Sequence, residues 1–263
     1  MWENPIFLRE MRIRLPKHRG VRIGVLIMAA VFLLTVYLRM ITELAQRNVS
    51  SDADILWAIL VWVQFLFTLF AAPAYAANAF SREKEQQTWD LLLTTPLTAS
   101  EIVLGKLMGR FAIFLLPIVL ILPLEILIAF ALGYYTNGLF FLTLLTLLIF
   151  TFFFISLSLY ASWCLSRTLY AQIVSYTVLI GILCIGTSLL TAAVLVLSSI
   201  STGTTNSSSQ LPWLWLNPIY LFSLLFEKPT DHLYQLGVGL FVYLVLGTLM
   251  IYHIIHNLRR HRE

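Results

Sequence analysis

Six runs of predominantly apolar residues, most of them about 20 residues long, recur along this chain of 263 residues. A helix of about that length crosses a hydrocarbon core ~30 Å thick. The runs fall at residues 22–38, 55–77, 111–132, 139–163, 169–198 and 233–255. Hydrophobic residues make up 59% of the chain and charged residues only 11%, against roughly 25% charged in an average soluble domain. A soluble domain of this size has no interior large enough to hide so much apolar surface. The composition therefore excludes an ordinary cytosolic enzyme, a nucleic-acid-binding domain and a disordered tail. In lipid every backbone polar group must be satisfied within the chain, which leaves helices as the spanning element for such runs. The predicted fold class is an all-α membrane protein with six transmembrane helices. Pro73, Pro117 and Pro123 lie in the second and third runs, where membrane helices tolerate them. Some twenty polar and basic residues precede the first run and no small-residue cleavage site follows it, so it reads as an uncleaved span.

Lysine and arginine set the orientation. With six spans, Arg9, Arg12, Arg14, Lys17, Arg19 and Arg22 share one side with Arg82, Lys84, Lys106, Arg110, Arg167, Arg259, Arg260 and Arg262. Only Arg39, Arg47 and Lys228 fall on the other. The richer side is predicted to be cytoplasmic, with both termini there. This topology accounts for the net charge of +4 without nucleic acid as a partner. Residues 1–21 place Phe7, Met11 and Leu15 at helical spacing among basic residues, a pattern that predicts an amphipathic helix on anionic headgroups, with a solvated topology-setting charge cluster as the alternative. The expected organisation is one transmembrane domain over 1–263: spans one and two in 22–77, a cytoplasmic loop over 78–110, spans three to five in 111–198, an outer loop over 199–232, and the last span with a basic tail over 233–263.

The loop over 78–110 carries the most information. Arg82, Glu83, Lys84 and Glu85 open it, and Trp89 and Leu91–Leu93 form an apolar patch. Pro96 disfavours helix in the residue before it. Thr98 and Glu101 have capping-box spacing, which predicts that a new helix starts there and leads into the third span. A short helix over 86–93 is expected at the membrane surface, with Trp89 on the buried side and the carboxylates exposed. An element resting on lipid and a docking element for a cytoplasmic partner fit that pattern equally well.

This loop resembles that of the type-two ABC exporter permeases, the bacterial drug, ion and copper-maturation permeases. Their loop reads Glu-Arg/Lys-Glu-x-Gly-Thr-x-Glu-Leu-Leu-x-x-x-Pro, with a Gly-Lys further on. Glu83, Lys84, Glu85, Thr88, Leu91, Leu92, Pro96, Gly105 and Lys106 fit it. Gln87 stands where Gly is usual and Asp90 where Glu is usual. Asn4-Pro5-Ile6 with Arg9-Glu10, and Asn217-Pro218 before the last span, resemble these permeases too. The resemblance implies a coupling helix that inserts into a separate cytoplasmic ATPase subunit, a role it carries to Glu83, Glu85, Thr88, Trp89, Asp90 and Leu92. It also implies a connecting helix over 4–19, short re-entrant helices within 213–226, and a path formed with a second permease copy or a homologue.

The chain has no phosphate-binding loop of its own: Leu107 follows Gly105-Lys106, and Ser100 stands where the first glycine would be. ATP and Mg²⁺ are thus expected on the partner, and no cofactor, metal or catalytic residue on this chain. His253 and His256 share a helix face but are too few for a metal site. Cys164 and Cys184 sit in apolar stretches and read as core residues. Gln64 and Gln172 are expected to bond between helices, and the phenylalanines at 152–154 suit lipid-facing packing. Glu125 is the acidic residue deep in an apolar run, ~21 Å along the third span from Phe111 at 1.5 Å per residue. A position on a translocation path, a tie between spans and a place near the outer headgroups all fit it. The function that the resemblance implies is the membrane-spanning permease subunit of an ATP-driven exporter, forming the path as a dimer. A non-transporting membrane scaffold and a stand-alone secondary transporter are the alternatives.

Overall fold

The computed structural model describes residues 49–134, 138–182, 216–226 and 232–260. The predicted first span, the amphipathic N-terminus, the far end of the fifth span with Cys184, and Trp213 to Trp215 lie outside the described residues. Those described form eight helices and no strand. They are α1 (Val49–Ala76), α2 (Ser81–Glu85), α3 (Trp89–Leu93), α4 (Ala99–Ala131), α5 (Leu139–Cys164), α6 (Thr168–Ile180), α7 (Pro218–Ser223) and α8 (Leu233–Arg260). Four segments among them are long and apolar enough to cross a membrane: Ile55–Glu85, Ala99–Phe130, Leu139–Cys164 and Leu233–Arg260. α6 is the described part of the predicted fifth span.

Local chemistry sets the helix ends. Thr98 caps α4: its hydroxyl accepts from the Glu101 amide at 3.3 Å, and the Glu101 carboxylate accepts from the Thr98 amide at 2.7 Å. This is the capping box expected from the sequence. The 33 residues of α4 span ~50 Å, well beyond a ~30 Å hydrocarbon core. Lys106 and Arg110, one turn apart near its start, are both only 1% exposed. Both count among the topology-setting charges and Lys106 also fits the loop pattern, but nothing in the sequence marks either as buried. Asn217 caps α7 by accepting from the amides of Ile219 and Tyr220 at 2.9 and 3.3 Å, with Pro218 in the first turn, where its missing N–H costs nothing.

The helix expected over 86–93 is corrected. Gln87 takes φ +55°, in the left-handed region that ends helices. The Gln87 amide donates to the Lys84 carbonyl at 3.2 Å and the Thr88 amide to the Glu83 carbonyl at 2.9 Å. That pair of bonds is a Schellman closure of α2, with Gln87 at the position glycine usually fills. The chain then re-enters a helix only at Trp89.

The described residues belong to two compact units. Among the described residues, one draws on 49–72, 95–134, 138–147 and 255–260. Its core holds Trp57, Val61, Phe65, Ile102, Val103, Phe114, Leu124 and Ile128. Trp57 meets Tyr134 with ring centroids 4.9 Å apart.

The other unit draws on 73–94, 148–182, 216–226 and 232–254 of the described residues. Phe153 and Phe154 are buried in its core at 2% and 1% exposure, not facing lipid as expected. Phe150 and Phe153 pack on the Tyr243 ring at 5.1 and 4.7 Å, and the Tyr243 hydroxyl donates to the Leu216 carbonyl just before α7. Gly247 lets α8 approach α5: a Cβ there would lie 2.7 Å from the Phe152 ring. Gln172 donates to the Ala74 carbonyl at 3.2 Å, the interhelical bond expected of it. Cys164 is exposed at the end of α5, a correction to its reading as a core residue.

Candidate docking loop and buried carboxylate

The loop helix α2 is held by side chains remote in sequence. Its N-cap residue, Phe80, makes no side-chain cap bond. The buried Ser162 hydroxyl from α5 fills that role, accepting from the Phe80 and Ser81 amides at 2.8 and 2.9 Å. Ser162 also donates to the Ser81 hydroxyl at 3.2 Å, which in turn donates to the Ala77 carbonyl at 2.8 Å. One hydroxyl thereby satisfies two helix-terminal amides that lipid and apolar side chains could not.

Lys84 is the second anchor. Its ammonium donates to the Trp163 carbonyl and lies 5.4 Å from the Trp89 ring centroid and 5.1 Å from that of Trp163. The two indoles are 5.4 Å apart, and Phe80 meets Trp89 edge-on at 6.1 Å and Trp163 at 5.6 Å. A cation over an aromatic face contributes ~1 kcal/mol when partly desolvated. Trp89 is therefore an anchor of α3 rather than an outward contact. It is half-buried, and Leu92 is 7% exposed.

Glu85 is the third anchor. Its carboxylate accepts from the Thr168 amide at 3.1 Å and the Thr168 hydroxyl at 3.0 Å. It thus serves the first turn of α6, whose own N-cap Arg167 makes no side-chain cap bond. Of the six residues assigned to docking by resemblance, Thr88 and Asp90 are exposed with α3, Glu83 is half-buried, and Glu85 is exposed but engaged by Thr168. Leu91, absent from that set, is 71% exposed. Its neighbours in the apolar patch gave no sign in the sequence that it alone would face outward.

Glu125 lies in the other unit, on α4. Gln64 of α1 donates to it at 2.8 Å, and the two residues are 4% and 3% exposed. The pair borders a cavity lined by Trp57, Val61, Phe140, Thr143, Leu144 and Leu147, with room for about one water molecule. The Thr143 hydroxyl is turned back onto the Leu139 carbonyl at 2.8 Å. Among the described residues no group of three or more His, Cys, Asp or Glu side chains could hold a metal ion.

The model of the family described as ABC-2 family transporter protein matches residues 5–255. The chain belongs to that family. No curated protein matches it closely enough to count as a relative. An ABC-2 type permease is a membrane component of a transporter, in keeping with the apolar spanning helices. Its loop over 81–93 is fixed from within by Ser162, Lys84 and Glu85, while Thr88, Asp90 and Leu91 of the permease are exposed.

Proposed function

We propose that this chain is the permease subunit of an ATP-driven exporter, docking separate ATPase subunits through the loop over 78–110. ABC-2 permeases normally work with an ATPase subunit, which supports this reading. The observation that carries it is the form of the loop. Asp90 and Leu91 of α3 are exposed, as is Thr88 at its N-cap, and the cluster of Phe80, Lys84, Trp89 and Trp163 backs the helix. A surface meant to receive a push needs such backing, because a loose loop would absorb the displacement instead of passing it on.

In this reading α3 is the coupling helix. Trp89 and Leu92 seat it, Thr88 and Asp90 face the partner beside Leu91, and Glu83 and Glu85 shape the segment before it. ATP and Mg²⁺ act on the partner chain. Two copies, or one copy and a homologue, form the path as a dimer, and the two states interconvert by rigid movement. The charge distribution supports cytoplasmic termini. The whole of 1–263 is then one permease domain. Glu125 serves as a tie between α1 and α4, a role supported by its bond from Gln64. Its predicted place on the translocation path rests on the adjoining cavity alone.

The test is retention of an ATPase during purification in mild detergent. Asp90→Ala combined with Leu91→Ala, which leaves the aromatic anchors intact, is expected to lose the ATPase while the permease stays folded. Undiminished retention counts against docking at α3.

A further inference from the structure

Helix α2 is attached to two different helices at once. Ser162 and the Trp163 carbonyl fix it to the last turn of α5. Glu85 fixes its other end to the first turn of α6. The α5 attachment is redundant, with two amides, a hydroxyl and an ammonium taking part. Two hydrogen bonds from α6 to α2 converge on one carboxylate. The exposed N-terminal amides of α6 carry partial positive charge, so a carboxylate is the best acceptor for that position.

We propose that the Glu85–Thr168 pair is the positioning link through which displacement of the docking loop reaches α6. This rests on the docking role proposed for the loop. Two donors from one residue, an amide and a hydroxyl, converge on the two oxygens of a single carboxylate. The contact therefore resists sliding as well as separation. A shift of α2 either carries the start of α6 with it or breaks both bonds.

Thr168→Pro tests the link without destroying the helix. Proline removes the amide and the hydroxyl together. It suits the first helical position, where the amide has no intrahelical partner. Arg167 already has φ −114° and ψ 137°, the extended geometry that a residue before proline favours. The measurement is hydrogen exchange of the full chain purified with its ATPase, compared without nucleotide and with ATP and vanadate. In the unaltered chain and in Thr168→Ser, which keeps both donors, nucleotide is expected to change exchange over residues 81–85 and over 169–176. In Thr168→Pro the response at 81–85 persists, and that at 169–176 is lost. A full response at 169–176 in Thr168→Pro, with the ATPase bound, overturns the link alone. No ATPase on the unaltered chain, or no response at 81–85, overturns the docking reading and the link together. Thr168→Val, which removes only the hydroxyl, gives a second reading if the proline variant does not fold. An intermediate response supports the link, and a full one opposes it.

Discussion

Gln64 and Glu125, 61 residues apart in sequence, meet at 2.8 Å through the Gln64 amide and the Glu125 carboxylate, with both side chains buried. Such a bond joins α1 to α4 between two side chains that are almost wholly buried. Interhelical side-chain bonds in membranes contribute ~0.6 kcal/mol on average and up to ~1.7 kcal/mol. Gln64→Leu is expected to cost about 1 kcal/mol, read as a lower midpoint in detergent unfolding. Glu125→Gln keeps an acceptor for Gln64 and should fall closer to the unaltered protein. Equal losses from the two variants would mean that the bond is not what Glu125 contributes.

Gln87 occupies a left-handed C-terminal cap position with φ +55°. A residue with a Cβ is disfavoured there by ~1–2 kcal/mol. Gln87→Gly is expected to stabilise the loop by about 1 kcal/mol, less the entropy that glycine adds to the unfolded chain. Slower hydrogen exchange at Gln87 and Thr88, whose amides close the motif, is the readout. Gln87→Val should shift it the other way, since a β-branched residue fits that region worst.

Ser162→Ala leaves the Phe80 and Ser81 amides without the hydroxyl that accepts from both. A buried donor stripped of its partner costs ~1–3 kcal/mol. The expected result is faster exchange across 80–85 and weaker cohesion of α2, with the Gln64–Glu125 pair of the other unit unaffected. Unchanged exchange in the loop would show that Ser162 is not its anchor.

The parts legible in the sequence were those governed by neighbours in the chain. Thr98 and Glu101 are three residues apart, so their capping box can be read directly. Gln64 and Gln172 were foreseen as interhelical donors because a lone amide in an apolar run has few other options. Their partners were not foreseeable. Ser162 lies 82 residues from Phe80, and Thr168 lies 83 residues from Glu85. No periodicity encodes such pairings.

The misreading of Phe153 and Phe154 has a different cause. In a soluble helix, polarity separates the outward face from the buried one. In a membrane helix both faces are apolar, so composition does not distinguish lipid contact from protein contact. Gln87 shows a third limit. The resemblance marked its position as one usually held by glycine, but only the backbone angle shows why.

The most direct test of the account is the purification of this permease from native membranes, with ATP turnover measured on the eluate. The unaltered chain is predicted to retain a soluble subunit with ATPase activity, and Asp90→Ala/Leu91→Ala to lose both the subunit and the turnover while eluting as a folded membrane protein. A folded, unaltered permease that carries no ATPase, or a double variant that retains it in full, would contradict the docking role of α3.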